Sequence, residues 1–211
     1  MAHPLVVGIA GGSASGKTTI TTGLRTALEQ SGRTVDVLAS DLYMHHDVDR
    51  GPVFVSPTTG ETTFDCNRPE SIDWLAFLRD LDTRTSDVEA PDVLLVEGLM
   101  ILHIAAVRER LHLRLFVELD ADERALRRLL RDMKKPRGPR EPEVIANYYR
   151  ESARIGHALY VEPSRQYADI IVRGDALLDR VQPLLLAMID RLLGEHGARE
   201  PSTQQPSHLH H

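Results

Sequence analysis

The sequence predicts an α/β protein in which a parallel sheet is covered by helices on both faces. Short apolar runs alternate with helical patterns along the chain, as expected when each buried strand is followed by a crossover helix. The length of 211 residues is enough for one sizeable α/β core. Close to the amino terminus, a strand, a glycine-rich loop and a helix follow one another directly, which favours the same class.

The individual elements follow from the spacing of apolar residues. Strands are predicted at residues 5–10, 34–39, 93–96, 113–119 and 169–172. Helices are predicted at residues 17–30, 70–81, 121–133 and 144–160, and a last helix is predicted to begin shortly before Pro183 and to end near Leu193. Residues 42–63 and 134–142 carry several Pro and Gly, so both are predicted as loops. Residues 1–196 are expected to form one domain, followed by a disordered polar tail at residues 197–211.

The glycine-rich loop after the first strand matches the phosphate-binding pattern G-x-x-x-x-G-K-[ST]. In such a loop the backbone N–H groups surround the phosphates of a nucleotide, Lys17 supplies charge to the outer phosphates, and the Thr18 hydroxyl binds Mg²⁺. A chance match would be a glycine-rich turn, but the flanking strand and helix are those that the motif requires. The expected nucleotide-binding residues are Gly11, Ser13, Ala14, Ser15, Gly16, Lys17, Thr18 and Thr19.

Two acidic residues follow strands of the predicted sheet. Because the carboxyl ends of parallel strands face the ligand crevice, Asp41 is expected to accept a proton from a substrate hydroxyl or to orient it. Glu97 ends an apolar strand and is expected to reach Mg²⁺ through a water. The alternatives are that Asp41 caps the segment that follows it and that Glu97 is a solvated strand end.

Basic residues concentrate in one stretch of a chain whose net charge is −6. Arginines on a closing lid neutralise the charge that phosphoryl transfer develops, and a solvated helix face is the alternative. Arg124 is instead expected to pair with Asp120 on the helix surface. The candidate lid arginines are Arg127, Arg128 and Arg131 on the helix and Arg137 and Arg140 in the loop.

Composition excludes several classes of protein. The negative net charge argues against general nucleic-acid binding, and no apolar run reaches the length of a membrane span. A single cysteine, Cys66, and the lack of room for a signal peptide before the first strand favour a cytoplasmic protein. The adjacent His45 and His46 are expected to be loop residues rather than metal ligands, and a metal site in the histidine-rich tail is not favoured. By its local pattern Asp65 is expected to be a turn residue, with binding of sugar hydroxyls as the alternative.

Six sequence blocks resemble, in the same order, the uridine kinase and phosphoribulokinase family of P-loop kinases. They lie within residues 5–174 and read VVGIAGGSASGKTT, SDLY, TTFDCNRPESID, LLVEG, FVELDADERALRRLLRD and YVEPSRQYADIIV. The resemblance implies a five-stranded parallel sheet with an arginine-bearing lid, ATP and Mg²⁺ as cofactors, and a ribose-like hydroxyl as acceptor. Relatives often assemble, so a homo-oligomer is compatible with it.

The resemblance also implies roles for individual residues. Asp41 would be the catalytic base, with Tyr43 beside it in the substrate site. Asp65 and Arg128 would contact the ribose, and the phosphates would be met by Arg131, Arg137 and Arg140.

One departure from the family concerns the part of the site that reads the base. Uridine kinases carry a β-hairpin, with a Tyr and a His that read the pyrimidine, between the helix after Phe-Asp and the Glu-Gly strand. Residues 84–92 are too few for it, so that half of the site is expected to be missing or rebuilt from residues 48–63. The leading expectation is a kinase of a uridine- or cytidine-like nucleoside or related ribosyl metabolite. The alternatives are a kinase of another small alcohol, such as nicotinamide riboside or pantothenate, and a regulatory ATP-binding protein without transferase activity.

Overall fold

The computed structural model describes residues 3–45, 49–134 and 141–197. Its strands, in chain order, are β1 (Leu5–Gly11), β2 (Val35–Ala39), β3 (Val53–Val55), β4 (Thr62–Phe64), β5 (Val93–Gly98), β6 (Leu113–Glu118) and β7 (Ile170–Arg173). Its α-helices are α1 (Lys17–Gln30), α2 (Trp74–Ser86), α3 (Ala105–Arg108), α4 (Ala121–Met133), α5 (Pro142–Tyr148), α6 (Arg154–Gly156) and α7 (Leu178–Gly197).

The central sheet has five parallel strands in the order β2-β5-β1-β6-β7, which confirms the predicted fold class. The registers place Ala39 of β2 opposite Glu97 of β5, and Ala10 of β1 opposite Gly98. The carboxyl ends of β1, β2 and β5 therefore lie at one edge of the sheet, where the phosphate loop, Asp41 and Glu97 come together.

Two apolar layers hold helices on the two faces of the sheet. On one face, Leu24 and Leu28 of α1 meet Leu185 and Ile189 of α7 over the sheet. On the other face Phe77 of α2 belongs to a second buried cluster. Such burial on both faces explains why the strands are continuous apolar runs rather than alternating ones.

The second helix begins and ends later than predicted. Residues 70–81 were expected to be helical, whereas α2 begins at Trp74 after a 3₁₀ turn at Pro69–Ser71. Asp73 determines this start, because its carboxylate accepts a hydrogen bond from the Ala76 N–H at 2.9 Å and so caps the helix. Arg84, in the last turn of α2, forms an ion pair with Asp36 of β2.

The prediction that the last helix begins just before Pro183 was wrong. The helix begins at Leu178, so Pro183 lies in its second turn, where proline removes a backbone hydrogen bond. Packing against α1 compensates for this loss: the Gln182 side chain donates to the Gly23 carbonyl at 2.7 Å, and Leu178 lies against the Gly23 backbone.

The helix predicted at residues 144–160 begins earlier, at Pro142, because proline suits the first position of a helix. It is not a regular α-helix, since π-helical turns at Tyr149–Ala153 and His157–Val161 interrupt it. We call residues 142–161 the irregular helix. Gly156 lets it approach the neighbouring chain closely, because a Cβ there would lie 2.3 Å from the Asn67 carbonyl oxygen.

Part of the predicted loop at residues 42–63 is a β-hairpin. Strands β3 and β4 pair antiparallel, with Phe54 opposite Thr63. Two contacts attach the hairpin to the irregular helix: the Phe54 ring lies 5.9 Å from the Tyr148 ring, and Thr58 donates a hydrogen bond to Glu151. Strands of three residues are too short to produce a recognisable alternation, so their formation depends on these distant contacts.

Among the described residues, no helix combines the length and the hydrophobicity that crossing a bilayer would require. Residues 198–211 of the predicted tail (197–211) and the loop residues 135–140, with Arg137 and Arg140, lie outside the described part of the chain.

Candidate active site

The phosphate loop joins the end of β1 to the start of α1, as the motif requires. Gly16 adopts φ 104° immediately before α1, a conformation that residues with a side chain rarely reach. Ala14 also has a positive φ, 62°, and such left-handed conformations of residues with a side chain cluster at functional sites. Gly174 packs directly against the loop, because a Cβ on Gly174 would lie only 1.8 Å from the Ser15 carbonyl oxygen.

A cavity of about 320 Å³ opens beside this loop. It unites segments that are far apart in the sequence: the phosphate loop and α1, the ends of β2 and β5, and α4. Its lining residues are Ser13, Ala14, Gly16, Lys17, Thr18, Thr19, Ala39, Asp41, Glu97, Gly98, Leu99, Arg127 and Arg131. The predicted nucleotide, metal and base residues are thus largely gathered around one space, although Gly11 and Ser15 lie buried behind it.

Lys17 lies buried within the loop. Its Nζ donates a hydrogen bond to the Gly12 carbonyl oxygen at 2.9 Å. Burial lowers the pKa of Lys17 from 10.5 to about 8, while the nearby Asp41 and Glu97 act in the opposite direction. The ammonium therefore lies where a further negative charge, such as a phosphate, would stabilise its charged form.

Thr18 and Glu97, the predicted metal ligands, are brought into contact. The Thr18 hydroxyl donates to Glu97 Oε1 at 3.3 Å, and the Thr21 hydroxyl donates to Glu97 Oε2 at 2.9 Å. Sequence reasoning missed Thr21, although it lies three residues after Thr18 and so shares its face of α1. The two hydroxyls orient the Glu97 carboxylate towards the cavity edge, so Glu97 is not a freely solvated strand end.

Asp41 lies exposed in the 3₁₀ turn Ser40–Tyr43 that follows β2. The capping position of this turn is Ala39 and no side chain caps it, so the capping alternative for Asp41 has no support. On the α4 side of the cavity, Arg131 donates from Nε to Asp132 at 3.0 Å, and Arg127 donates to the Gly174 carbonyl oxygen at 3.1 Å. The cavity therefore has a carboxylate on one side and guanidinium groups on the other.

The three remaining predicted substrate residues do not line this cavity. The Tyr43 hydroxyl donates to the Asp80 carboxylate, its ring packs edge-on against Phe77 at 5.3 Å, and burial raises its pKa to about 12. Asp65 and Arg128 are both buried.

Asp65 belongs to a buried polar network. Its Oδ1 accepts hydrogen bonds from the Ser152 hydroxyl at 2.5 Å and from the Asn67 N–H at 3.1 Å, while Oδ2 lies 3.3 Å from Arg68 Nε. The bond to the N–H two residues on is typical of the turn residue that the local pattern predicts. The network continues through Asn67 Nδ2 to Tyr148 Oη at 3.2 Å.

Arg128 connects this network to the cavity. Its guanidinium carbon lies 5.3 Å from the centre of the Tyr148 ring, and its Nε lies 3.4 Å from Asp132 Oδ2. Asp132 also binds Arg131, which lines the cavity. The polar network and the cavity are thus adjacent parts of one region.

The expectation that Arg124 forms a surface ion pair with Asp120 was wrong. Arg124 is 7% exposed, and its Nε donates to the Leu119 carbonyl oxygen at 3.0 Å. Arg124 precedes Arg128 by four residues and Arg131 by seven, so all three lie on one face of α4. This spacing is the sequence signal that could have placed Arg124 with the other arginines near the site. His157 of the irregular helix lies beside Arg124 against Gly12, and no sequence pattern pointed to it.

Within the described residues, no group of three or more His, Cys, Asp or Glu side chains is arranged to hold a metal ion. Of the adjacent histidines, His45 lies in the described part and His46 outside it.

The parallel sheet and the loop at its edge define a class: a P-loop protein that binds nucleotides. Comparison with known proteins makes the class more specific. The model of the phosphoribulokinase/uridine kinase family matches residues 76–176. The uridine kinase of Deinococcus deserti is 34% identical over 209 residues, covering 89% of this chain and 96% of that protein. The uridine kinase of Staphylococcus haemolyticus is 33% identical, covering 82% of this chain and 88% of its own length.

The solved structures agree on the fold. One described as a possible uridine kinase from Bacillus stearothermophilus superposes with a TM-score of 0.54, covering 81% of this chain and 89% of that chain at 16% identity. The chain belongs to the phosphoribulokinase/uridine kinase family. It is therefore a phosphotransferase with a hydroxyl acceptor, and the resemblance stated from the sequence is confirmed.

Proposed function

We propose that the protein is an ATP-dependent kinase of a nucleoside or a related ribosyl metabolite. The observation that carries the proposal is that Lys17, Asp41 and Glu97 line one cavity beside the phosphate loop. The loop suits a triphosphate, and a carboxylate across the cavity suits an acceptor hydroxyl. The high coverage of the similar uridine kinases supports a nucleoside as that acceptor.

The residues at the cavity edge fit Mg²⁺. A hydroxyl and a carboxylate are the oxygen donors that this ion prefers, and those of Thr18 and Glu97 lie 3.3 Å apart. Thr21 keeps the Glu97 carboxylate oriented through its own hydrogen bond. When bound there, Mg²⁺ would neutralise charge on the phosphates that the loop holds.

The proposed roles of the other residues follow from their positions. Lys17 binds the outer phosphates, and Asp41 orients the acceptor hydroxyl and accepts its proton. Arg131, with Arg137 and Arg140 from the stretch outside the described residues, would neutralise charge on the transferred group. Together these groups would position the reactants, which accounts for most of the catalysis in phosphoryl transfer.

We propose that the acceptor lies between Asp41 and the polar network around Asp65. Hydrogen bonds connect the two regions, because the His45 N–H donates to the Ser71 carbonyl oxygen, and the Ser71 hydroxyl donates to the Arg68 carbonyl oxygen. Asp65 and Arg128 are the proposed ribose contacts, and Tyr43 completes the substrate side next to Asp41. The Asp65 Oδ2 atom, which lies 3.3 Å from Arg68 Nε, retains a lone pair with which it would accept a substrate hydroxyl.

The hairpin of β3 and β4 is the proposed replacement for the base-reading hairpin of uridine kinases. It leads directly into Asp65, and its Phe54 ring contacts Tyr148, which lies under Arg128. An aromatic pair at this place offers a surface on which a heterocyclic base could stack.

A second candidate function is a kinase of another small alcohol, such as nicotinamide riboside or pantothenate. The observation that favours it is that α2 ends at Ser86 and β5 begins at Val93, without a hairpin between them. The acceptor would then be recognised by its sugar or hydroxyl region rather than by a pyrimidine.

A panel of acceptors distinguishes these functions. We expect ADP release from Mg²⁺–ATP to be stimulated most by uridine or cytidine in a panel that also contains nicotinamide riboside and pantothenate. Stimulation mainly by nicotinamide riboside or pantothenate would favour the second candidate. Binding of ATP without stimulation by any acceptor would instead indicate a regulatory protein.

The Asp41→Asn variant tests the base assignment. General-base catalysis contributes about 10²- to 10⁴-fold, so we expect its kcat on the best acceptor to fall by about 100-fold or more. Asp36→Asn is the matched control, because Asp36 lies on β2 and pairs with Arg84 rather than lining the cavity. Full turnover by Asp41→Asn would show that another group accepts the proton.

A further inference from the structure

Arg124 holds a guanidinium group against the backbone of the phosphate loop. A Cβ on Gly12 would lie 2.7 Å from Arg124 Nη1 and 3.0 Å from its Cδ, so the side chain covers this glycine directly. The hydrogen bond from Arg124 Nε to the Leu119 carbonyl oxygen fixes the direction in which the guanidinium points. Arg124 is outside the P-loop pattern, and nothing in the proposed mechanism uses it so far.

Among the described residues, Arg124 forms no ion pair within 4 Å. Burial lowers its pKa below the ordinary value for arginine, although the more distant Glu162 acts in the opposite direction. Glu162, in the 3₁₀ helix that follows the irregular helix, accepts a hydrogen bond from His157 Nε2 at 3.2 Å. On α4 itself, Glu123 pairs with Arg127, and Asp132 pairs with Arg128 and Arg131. A buried guanidinium without a carboxylate is unfavourable unless another anion compensates it.

His157 lies beside Arg124 and contributes no positive charge of its own. Its Nδ1 is buried without a hydrogen-bond partner and would lie 3.1 Å from a Cβ on Gly12. Burial and the positive charge of Arg124 lower the pKa of His157 to about 4, so the ring is neutral near pH 7. Since Nε2 donates to the Glu162 carboxylate, the unpartnered Nδ1 carries a lone pair beside Arg124 and adds no second positive charge.

The position of Lys17 identifies which phosphate lies closest. The lysine of a P-loop reaches the β- and γ-phosphates, and Lys17 Nζ is hydrogen-bonded to the Gly12 carbonyl oxygen. Arg124 covers the same residue, and its charge contributes to the lowered pKa of Lys17. We therefore expect the outer phosphates to bind at the Gly12 end of the loop.

We propose that Arg124 binds the terminal phosphate of the nucleotide triphosphate and so makes the site prefer the triphosphate to the diphosphate. This inference rests on the proposed use of ATP. A planar guanidinium suits phosphate oxygens, because it can donate two parallel hydrogen bonds. The terminal phosphate would supply the direct ion-pair partner that Arg124 lacks among the described residues, and its transfer to the acceptor would weaken nucleotide binding.

The test compares a non-hydrolysable ATP analogue with ADP in the presence of Mg²⁺, by calorimetry on wild type and Arg124→Gln. Losing a charge-assisted hydrogen bond should weaken binding of the triphosphate analogue by about tenfold or more, and binding of ADP by less than about threefold. Arg108→Gln is the matched control, since Arg108 also donates to backbone carbonyls, those of Leu102 and His103, but far from the loop. Its triphosphate preference should equal that of wild type.

If Arg124 had only a structural role, Arg124→Gln would weaken binding of the ATP analogue and of ADP by the same factor. That result, or a variant with the same triphosphate preference as wild type, would overturn the inference. Failure of the wild-type protein to bind the ATP analogue would overturn the proposed function itself, which is a separate outcome. Should Arg124→Gln not fold, NMR of wild-type protein with ¹⁵N-labelled arginine decides. The Arg124 side-chain signal, assigned by its absence in Arg124→Lys, should shift with the triphosphate analogue and stay in place with ADP, and equal shifts would contradict the inference.

Discussion

Binding of the nucleotide triphosphate should be accompanied by uptake of a proton on Lys17 when the pH exceeds 8. Without nucleotide, burial lowers the pKa of Lys17 from 10.5 to about 8, so the side chain is mostly neutral at pH 8.5. A bound triphosphate brings negative charge to the ammonium and raises this pKa again. The γ-phosphate is already ionised at pH 8.5, so it does not compete for the proton.

The size of the effect follows from the pKa of about 8. At pH 8.5 roughly three-quarters of the Lys17 side chains are neutral, so binding should take up roughly 0.7 to 0.8 proton; at pH 7 the uptake should fall to about 0.1. Calorimetric titrations in two buffers of different ionisation enthalpy measure this number directly. Nucleotide affinity should correspondingly decrease as the pH rises through 8.

The Lys17→Arg variant is the control, because arginine stays charged throughout this range and should take up no proton. Binding by wild type at pH 8.5 without proton uptake would refute the reasoning, and so would equal uptake by the variant. The folding stability of the protein without nucleotide should depend on pH in the opposite direction to nucleotide affinity. Between about pH 8 and 10.5, Lys17 binds more protons in the unfolded chain than in the folded one, so the free energy of unfolding should rise with pH.

Three further predictions follow from individual contacts. Thr21→Val removes the donor to Glu97 Oε2, so the Mg²⁺ concentration for half-maximal turnover should rise about tenfold, and an unchanged requirement would contradict the role of Thr21. Gly156→Ala should cost about 1–3 kcal/mol in chemical unfolding, because its Cβ would lie 2.3 Å from a backbone oxygen; Gly194→Ala, in open space on α7, should instead gain about 0.5–1 kcal/mol. Phe54→Ala should raise the KM for the acceptor severalfold and leave the KM for ATP unchanged, and equal changes in both would exclude a role in acceptor recognition.

Local patterns were sufficient for the parts of the fold that depend on neighbouring residues. The α1 helix and the α4 helix have the predicted bounds, and the strands of the central sheet agree to within a residue or two. The gathering of Lys17, Asp41 and Glu97 was also predictable. Parallel strands must bring their carboxyl ends to one edge, so a residue that directly follows a strand is positioned by the sheet itself.

Elements that depend on distant partners were not predictable in the same way. The hairpin of β3 and β4 forms on the irregular helix, and α7 accommodates Pro183 through contacts with α1. Short strands and an internal proline carry local signals against regular structure, and these signals are overridden when packing supplies enough favourable contacts.

The sequence by itself determined the class of protein, because the phosphate loop and the two acidic residues derive their chemistry from residue type and order. The tertiary structure decided which charges are buried and what they face. Arg124 is read from the sequence as a surface residue, and only the approach of α4 and the irregular helix to Gly12 makes it a buried cation. The physical reason is that the energy of a charge depends on the solvent and counter-ions around it, which are set by packing between segments far apart in the chain.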